Sequence, residues 1–533
     1  MVSGSPNPFG LLVLYGWPLI AIALFTFLPP KRALVAGLVI GWLFLPANYA
    51  GDTPFVKWDK HAATSFGALL GAMIFDTPNL RKYRFSWMDI PLIVWCLCPY
   101  PAALGNDLTA YDGAAAVAKE FVVWGIPYYL GRAYFSDIVG IRGLAVWLFV
   151  AGLIYAPLCL YEVRLSPQLH NKIYGYYQHD FAQNIRLGGF RPVVFLQHGL
   201  AVGMLMTAAS LAGIWLWWTK SLVAVRKVPM WVLLGGLLFA TLVTKSSGAL
   251  ALLAVGVGVL FLTRWLHTYV LLFALVASPI VYMYARGAGI WEGKNVVSLI
   301  DRYVQAQRAE SLAFRFENET LLLARAAQRP VFGWGPNDNF LVKRPDGTIE
   351  SVPDGFWVIA LGTVGRVGLI AIYTAMLLPL LLLPRRLRAG DLDAPLLAGV
   401  GIVALIIVLH SIDNLMNAML NPLFIISLGS LTGIVADPRS INIPEEILLR
   451  RPGRRWFWFI RRRPAAPPVA VRAPDPEILF EPPPADGLDP LVIPKPKPRP
   501  DPDDKPGKTK PGVKVPPDDD NDKDPLDEEL GIH

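Results

Sequence analysis

The chain alternates long apolar runs with short polar connections from Phe9 to about Val435, then turns abruptly polar. Runs approaching the ~20 residues that cross a bilayer as a helix recur at 9–28, 33–47, 62–74, 87–104, 114–130, 143–161, 193–218, 230–243, 248–262, 269–283, 356–383, 394–410 and 415–435. The pattern predicts an all-α polytopic membrane protein of about 12–13 transmembrane helices over residues 1–436. Two polar intervals are too long to be simple turns, 162–191 and 285–355. In the second, Arg315 and Glu319 stand four apart and Phe316, Thr320, Leu323 and Ala327 recur at helical spacing. Pro330 stops that run, so the spacing predicts an amphipathic helix over 312–328, followed by a tight turn at Gly333-Trp334-Gly335-Pro336.

Charge assigns sides to these connections. Those carrying Lys31-Arg32, Arg81-Lys82 with Arg84, Arg132 with Arg142, Lys220 with Arg226-Lys227, Arg264, and Arg385-Arg386 with Arg388 alternate with 48–61, 106–112, 164–191, 244–247, 285–355 and 411–414. The first set reads as cytoplasmic and the second as external; 48–61 fits least well, because it carries Lys57 and Lys60. Long loops cross largely regardless of charge, so the Lys and Arg of 162–191 and 285–355 are free to serve function. A composition of 54% hydrophobic and 17% charged residues, with a mean hydropathy of +0.42, excludes an ordinary soluble domain. The first run has no basic residue before it and no small-residue cleavage site after it, and is expected to stay as a helix. Cys96, Cys98 and Cys159 all fall in apolar runs, and neither a disulfide nor a metal site is expected.

Past 436 the composition changes. Residues 437–463 form a basic–aromatic segment in which Trp456-Phe-Trp-Phe is framed by arginines; it suits either an anionic cytoplasmic leaflet or an ordinary positive-inside flank. Residues 464–533 are Pro-rich with mixed charge, the composition of a disordered cytoplasmic tail. Such a tail either recruits a cytoplasmic partner or a chain-length regulator, or carries no selected role.

An arginine at 315, a helix ending in small residues, and then Arg329-Pro-Val-Phe-Gly-Trp-Gly335 in a large loop between membrane spans resemble the signature of the O-antigen ligase and Wzy-type polymerase superfamily. The likeness covers about residues 186–435. It implies a GT-C-like membrane glycosyltransferase of the bacterial inner membrane, multi-pass, with its C-terminus cytoplasmic. Its partners would be membrane lipid and an undecaprenyl-diphosphate-linked oligosaccharide, with no cofactor, no metal and no nucleic acid.

The same resemblance marks candidate residues. Asn184-Ile-Arg-Leu-Gly-Gly-Phe-Arg-Pro192 precedes a span and resembles the family's first arginine motif, so Arg191, and after it Arg186, would bind the diphosphate; the alternative is snorkelling to headgroups. Where the family places Ser-Arg-Gly, this chain has Thr244-Lys-Ser-Ser-Gly248, with Ser247 at the arginine's place and Lys245 as a point-charge substitute. Arg315 opens the loop motif, or else merely pairs with Glu319; Arg329 and Trp334 belong to the same motif as substrate contacts. Ligases of the family carry a histidine after the turn, and here none occurs between Gly335 and Leu383. Asp354 and His410 are the candidate bases, and His198, expected one to two turns into its helix, is a further contact; a histidine in such a place is more often a satisfied polar residue packed between helices. Arg366, inside Leu361-Gly-Thr-Val-Gly-Arg-Val-Gly368, requires a polar cavity, a carboxylate or the interface, while Gly362, Gly365 and Gly368 suit close helix approach.

The departures at Ser247 and at the missing histidine favour a polymerase or exopolysaccharide-type relative over a ligase. A transporter or flippase, marked by interrupted helices and internal repeats, and a non-catalytic scaffold are the competing readings.

Overall fold

The computed structural model describes residues 4–441 apart from 187, 304–305 and 337; the readings of the tail and of most of 437–463 lie outside the described residues. Every expected span contains helix. Seven helices are long and apolar enough to cross a membrane: Pro8–Phe27, Trp87–Leu104, Ile138–Leu165, Gly199–Trp218, Ser247–Leu266, Val270–Gly287 and Phe356–Arg385. Met230–Val243, Ala398–Asp413 and Pro422–Ala436 are shorter apolar helices.

Gly199–Trp218 is the most enclosed of the seven, packed against Ile138–Leu165, Met230–Val243, Ser247–Leu266 and Ala398–Asp413. Its small residues permit this: Gly203 faces Ser246 and Ala249, and Gly213 faces the Phe149 ring, where a Cβ would collide. Trp42, Trp215, Trp357, Tyr155 and Phe149 fill the core between helices.

Three expected elements are revised. The span expected at 193–218 is helical only from Gly199, and residues 193–197 form a buried, non-helical approach. Buried backbone needs partners, and side chains from distant elements supply them. Glu162 accepts from Leu169 N (3.0 Å), Val193 N (2.8 Å) and Val194 N (2.7 Å). Tyr155 Oη accepts from Phe195 N, while Gln178 Nε2 and Lys60 Nζ donate to carbonyls of the segment. Val194 sits at φ 53°, a strained conformation for a β-branched residue. The helix expected at 312–328 runs Ala306–Ala326, preceded by Lys294–Tyr303.

The third revision concerns Phe356–Leu382, which is broken at Gly365 (φ 67°, ψ −165°). The Pro330–Gly335 turn fills the break. Trp334 N donates to Gly362 O (2.8 Å) and Gly335 N to Thr363 O (2.9 Å), while Arg366 N donates to Pro330 O (2.9 Å) and Val367 N to Val331 O (3.2 Å). Gly362 and Gly365 therefore admit a loop, not a neighbouring helix, and Arg366 lies exposed beside the break. Gly365→Ala is expected to weaken this docking by roughly 1–3 kcal/mol, because a non-Gly residue is strained at that φ and its Cβ would meet Val331 O. A lower melting temperature with faster proteolysis within 327–355 would show it; unchanged cleavage would mean that the turn is held elsewhere.

Candidate functional site

Two connections and one loop helix converge on a set of cations. A two-stranded hairpin pairs Ile185 with Phe190 and Arg186 with Gly189, its turn eased by Gly188 at φ 65°. The hairpin places Arg186 on a strand and Arg191 at its exit. Lys245, at φ 56° between two helices, donates from Nζ to Arg186 O (3.3 Å). From the opposite side the Ala306–Ala326 helix presents Arg308 and Arg315, seven residues and two turns apart on one face.

Arg191 is 5% exposed. Its Nη2 donates to Gln183 O (3.1 Å), its buried Nε meets no acceptor, and its side chain packs on Gly199. Burial, followed by the charges of Arg186, Arg308 and Arg315, pushes its pKa down to about 10, so it stays protonated at neutral pH. Arg186 is lowered in the same direction by burial and then by Arg308 and Arg315. The charges of Arg308 and Arg315 thus bear on both Arg191 and Arg186, an arrangement that an anion relieves.

The carboxylates stand on one flank. Arg315 lies 3.6 Å from Asp354 and donates to Met416 O (2.6 Å) and Asn417 Oδ1 (3.0 Å). Asn417 in turn donates to Asp413, whose second oxygen is buried without a partner. Burial raises the Asp354 pKa and Arg315 partly offsets the rise. The alternative pairing of Arg315 with Glu319 is not the one found: Glu319 binds Arg286 (3.2 Å) and Tyr282 (2.8 Å), because the helix turns that carboxylate towards Val270–Gly287.

The histidines divide. His198 is the N-cap of Gly199–Trp218, not a residue one to two turns inside it, and accepts from Leu200 N at Nδ1 (3.0 Å). That hydrogen bond assigns the proton to Nε2, making the ring a donor. Burial, followed by His179 and the nearby arginines, holds its pKa well below the usual range, so the ring is neutral. His410 lies 4.1 Å ring-to-ring from Phe424 and is 3% exposed, a packing position inside its helix.

Arg329 and Trp334 belong to a different place. Arg325 covers the Trp334 ring at 3.3 Å, Arg329 approaches it at 5.5 Å, and Trp334 Nε1 donates to Arg325 O (2.8 Å). These residues line a separate cavity with Asn106 and Lys343.

Sequence reading missed Arg308, Asp413 and Asn417 as members of the cluster. The i, i+7 spacing of Arg308 and Arg315 was a usable signal; the other two arrive through the fold. Arg308 Nη1 donates to Ser247 Oγ, so a guanidinium from the loop helix reaches the start of Ser247–Leu266. Among the described residues no group of three or more His, Cys, Asp or Glu is arranged to hold a metal ion. A scan of protein-family models and a comparison with curated proteins each find no match to this chain.

Proposed function

We propose that the chain is a membrane glycosyltransferase that transfers an oligosaccharide from a lipid-linked diphosphate, polymerising or ligating a surface polysaccharide. The observation that carries the reading is the convergence of Arg186, Arg191, Arg308 and Arg315, with the buried Nε of Arg191 lacking an acceptor. The guanidinium fork matches phosphate oxygens and remains charged throughout the physiological range. In this reading an acceptor hydroxyl attacks the anomeric carbon as the bond to the diphosphate oxygen breaks. The hydroxyl proton passes to Asp354, and the arginines neutralise the charge that grows on the departing lipid diphosphate. His198 donates from Nε2 to a phosphate oxygen. Arg308 brings its fork to Ser247, where the resembled family has an arginine, alongside Lys245. The loop helix covers the site and keeps water from the anomeric carbon. Charge alternation supports an external site and a cytoplasmic tail.

The transporter reading gains one observation, the broken helix at Gly365. The backbone groups at that break are hydrogen-bonded by Pro330–Gly335, which leaves them unavailable to a transported ion. Glycosyl transfer is the better-supported reading.

The test is deletion of the chromosomal copy and complementation, following polymer length and lipid-linked repeat units. Accumulated single repeats with no polymer indicate a polymerase; accumulated lipid-linked polymer indicates a ligase. Normal glycans on both measures would remove the proposal.

A further inference from the structure

About 15 Å along the Ala306–Ala326 helix from Arg315, at ten residues of helical rise, Arg325 opens onto the second cavity. Its volume is about 700 Å³, and Asn106, Asp107, Arg325, Arg329, Trp334 and Lys343 line it. The size lies within the range that holds a small oligosaccharide. Three cations face one carboxylate there, and among the described residues none of the three forms an ion pair.

Two residues of its wall, Arg325 and Asn106, narrow the chemistry further, and each carries a buried polar atom without a partner. Arg325 is fixed by donating to Gln328 Oε1 (3.1 Å) and Asn339 O (3.2 Å) and by stacking on Trp334, yet its buried Nε has no acceptor. Asn106 is fixed by donating from Nδ2 to Ala102 O (2.7 Å) and Gly333 O (3.0 Å), yet its buried Oδ1 has no donor. Buried polar atoms without partners are rare enough to need a reason, and both here sit on rigid side chains. A bare phosphate would satisfy the arginine and face the Asn106 oxygen with more negative charge. A sugar acid suits both residues, offering a carboxylate to the Arg325 guanidinium and ring hydroxyls to the Asn106 amide. Leu108, Leu321 and Leu341 offer apolar wall to the C–H faces of the sugar rings.

We infer that this cavity binds an acidic, uronic-acid-type oligosaccharide, held at the Arg325–Trp334 stack and at Asn106. The inference rests on the glycosyl-transfer reading only in making that oligosaccharide part of the substrate. A glycan engaged at the arginine cluster would extend along the loop helix into this second site.

The test measures binding, so its failure is separable from failure of the transferase reading. Full-length protein in nanodiscs of zwitterionic lipid is titrated with tetragalacturonic acid and with maltotetraose, its neutral counterpart in length. The acid is expected to bind at least about tenfold more tightly, since a carboxylate–guanidinium pair is available to it alone. Arg325→Gln and Lys343→Gln are each expected to weaken it about fivefold or more. Lys343 is exposed, so its replacement leaves the fold intact if Arg325→Gln does not. Arg191→Met is expected to retain this binding. Equal binding of the two sugars, no binding of either, or indifference to both substitutions overturns the inference. So does loss of tetragalacturonate binding when anionic lipid is added to the nanodiscs, which would assign the cavity to a headgroup.

Discussion

Replacing Arg191 by methionine is expected to abolish glycosyl transfer while leaving the protein as stable as the wild type, or more so. The two halves of this result have one cause. Arg191 is 5% exposed, its Nε lacks an acceptor, and three other arginines bear on its charge. An unsatisfied buried donor costs about 1–3 kcal/mol, more when charged, and methionine keeps the packing on Gly199 while removing that cost. On the proposed reading the same group is aimed at the departing diphosphate and desolvated in advance, and removal of one such donor typically costs ~10²–10³ in rate. Release of lipid diphosphate and the melting temperature of the purified variant check the two halves. A well-folded Arg191→Met protein with unchanged transfer would remove Arg191 from the site. A large fall in melting temperature accompanying the loss of activity would make its role structural.

Arg286→Ala is expected to release the loop helix and, with it, nearly all activity, although Arg286 touches no candidate substrate residue. Arg286 and Glu319 form an ion pair with side chains 3% and 7% exposed. Arg286 also donates to Phe316 O (2.9 Å), Thr320 Oγ1 (3.1 Å) and Trp291 O (3.2 Å), and Tyr282 Oη donates to Glu319. Removing one partner leaves a buried carboxylate uncompensated, which typically costs about 3–5 kcal/mol, of that order here. The loss falls on the contact between Val270–Gly287 and the helix that carries Arg308 and Arg315. Faster hydrogen exchange across 308–326 together with lost transfer is the expected pair of results. The double variant Arg286→Met, Glu319→Leu is expected to regain most of the stability, since an apolar pair of similar volume serves such a site at least as well. Retained transfer in Arg286→Ala, with the helix demonstrably released, would show that the loop helix is dispensable.

Much of the architecture was legible in the residues because the forces behind it are local. Apolar runs of membrane-crossing length became helices, Gly333 and Gly335 took positive φ as the turn required, and the spacing around Arg315 produced a helix within a few residues of the expected one. The helix begins earlier than expected because 306–311 are also good helix formers, and it ends before Pro330 because the turn must reach the break at Gly365.

Other features had no local signature. Residues 193–197 read as helix because they are apolar; only the arrival of Glu162, Tyr155, Gln178 and Lys60 makes a non-helical backbone tolerable there. Gly365 read as a helix-packing glycine, and became a break because Pro330–Gly335 supplies the hydrogen bonds that the helix gives up. Glu319 read as a partner for Arg315 from their spacing, but Arg286 and Tyr282 offer it a buried, fully bonded site across the helix interface.

The apolar helices, the loop helix and its turn could be read directly from the residues. Periodicity, glycine and proline act within a few residues, so these were readable in order along the chain. Packing, in contrast, brings the charges of Arg186, Arg308 and Arg315 to bear on Arg191 and leaves Arg329 and Trp334 lining a separate cavity. Charges separated by over a hundred residues interact only once packing has brought them together, and burial then sets how strongly they do so.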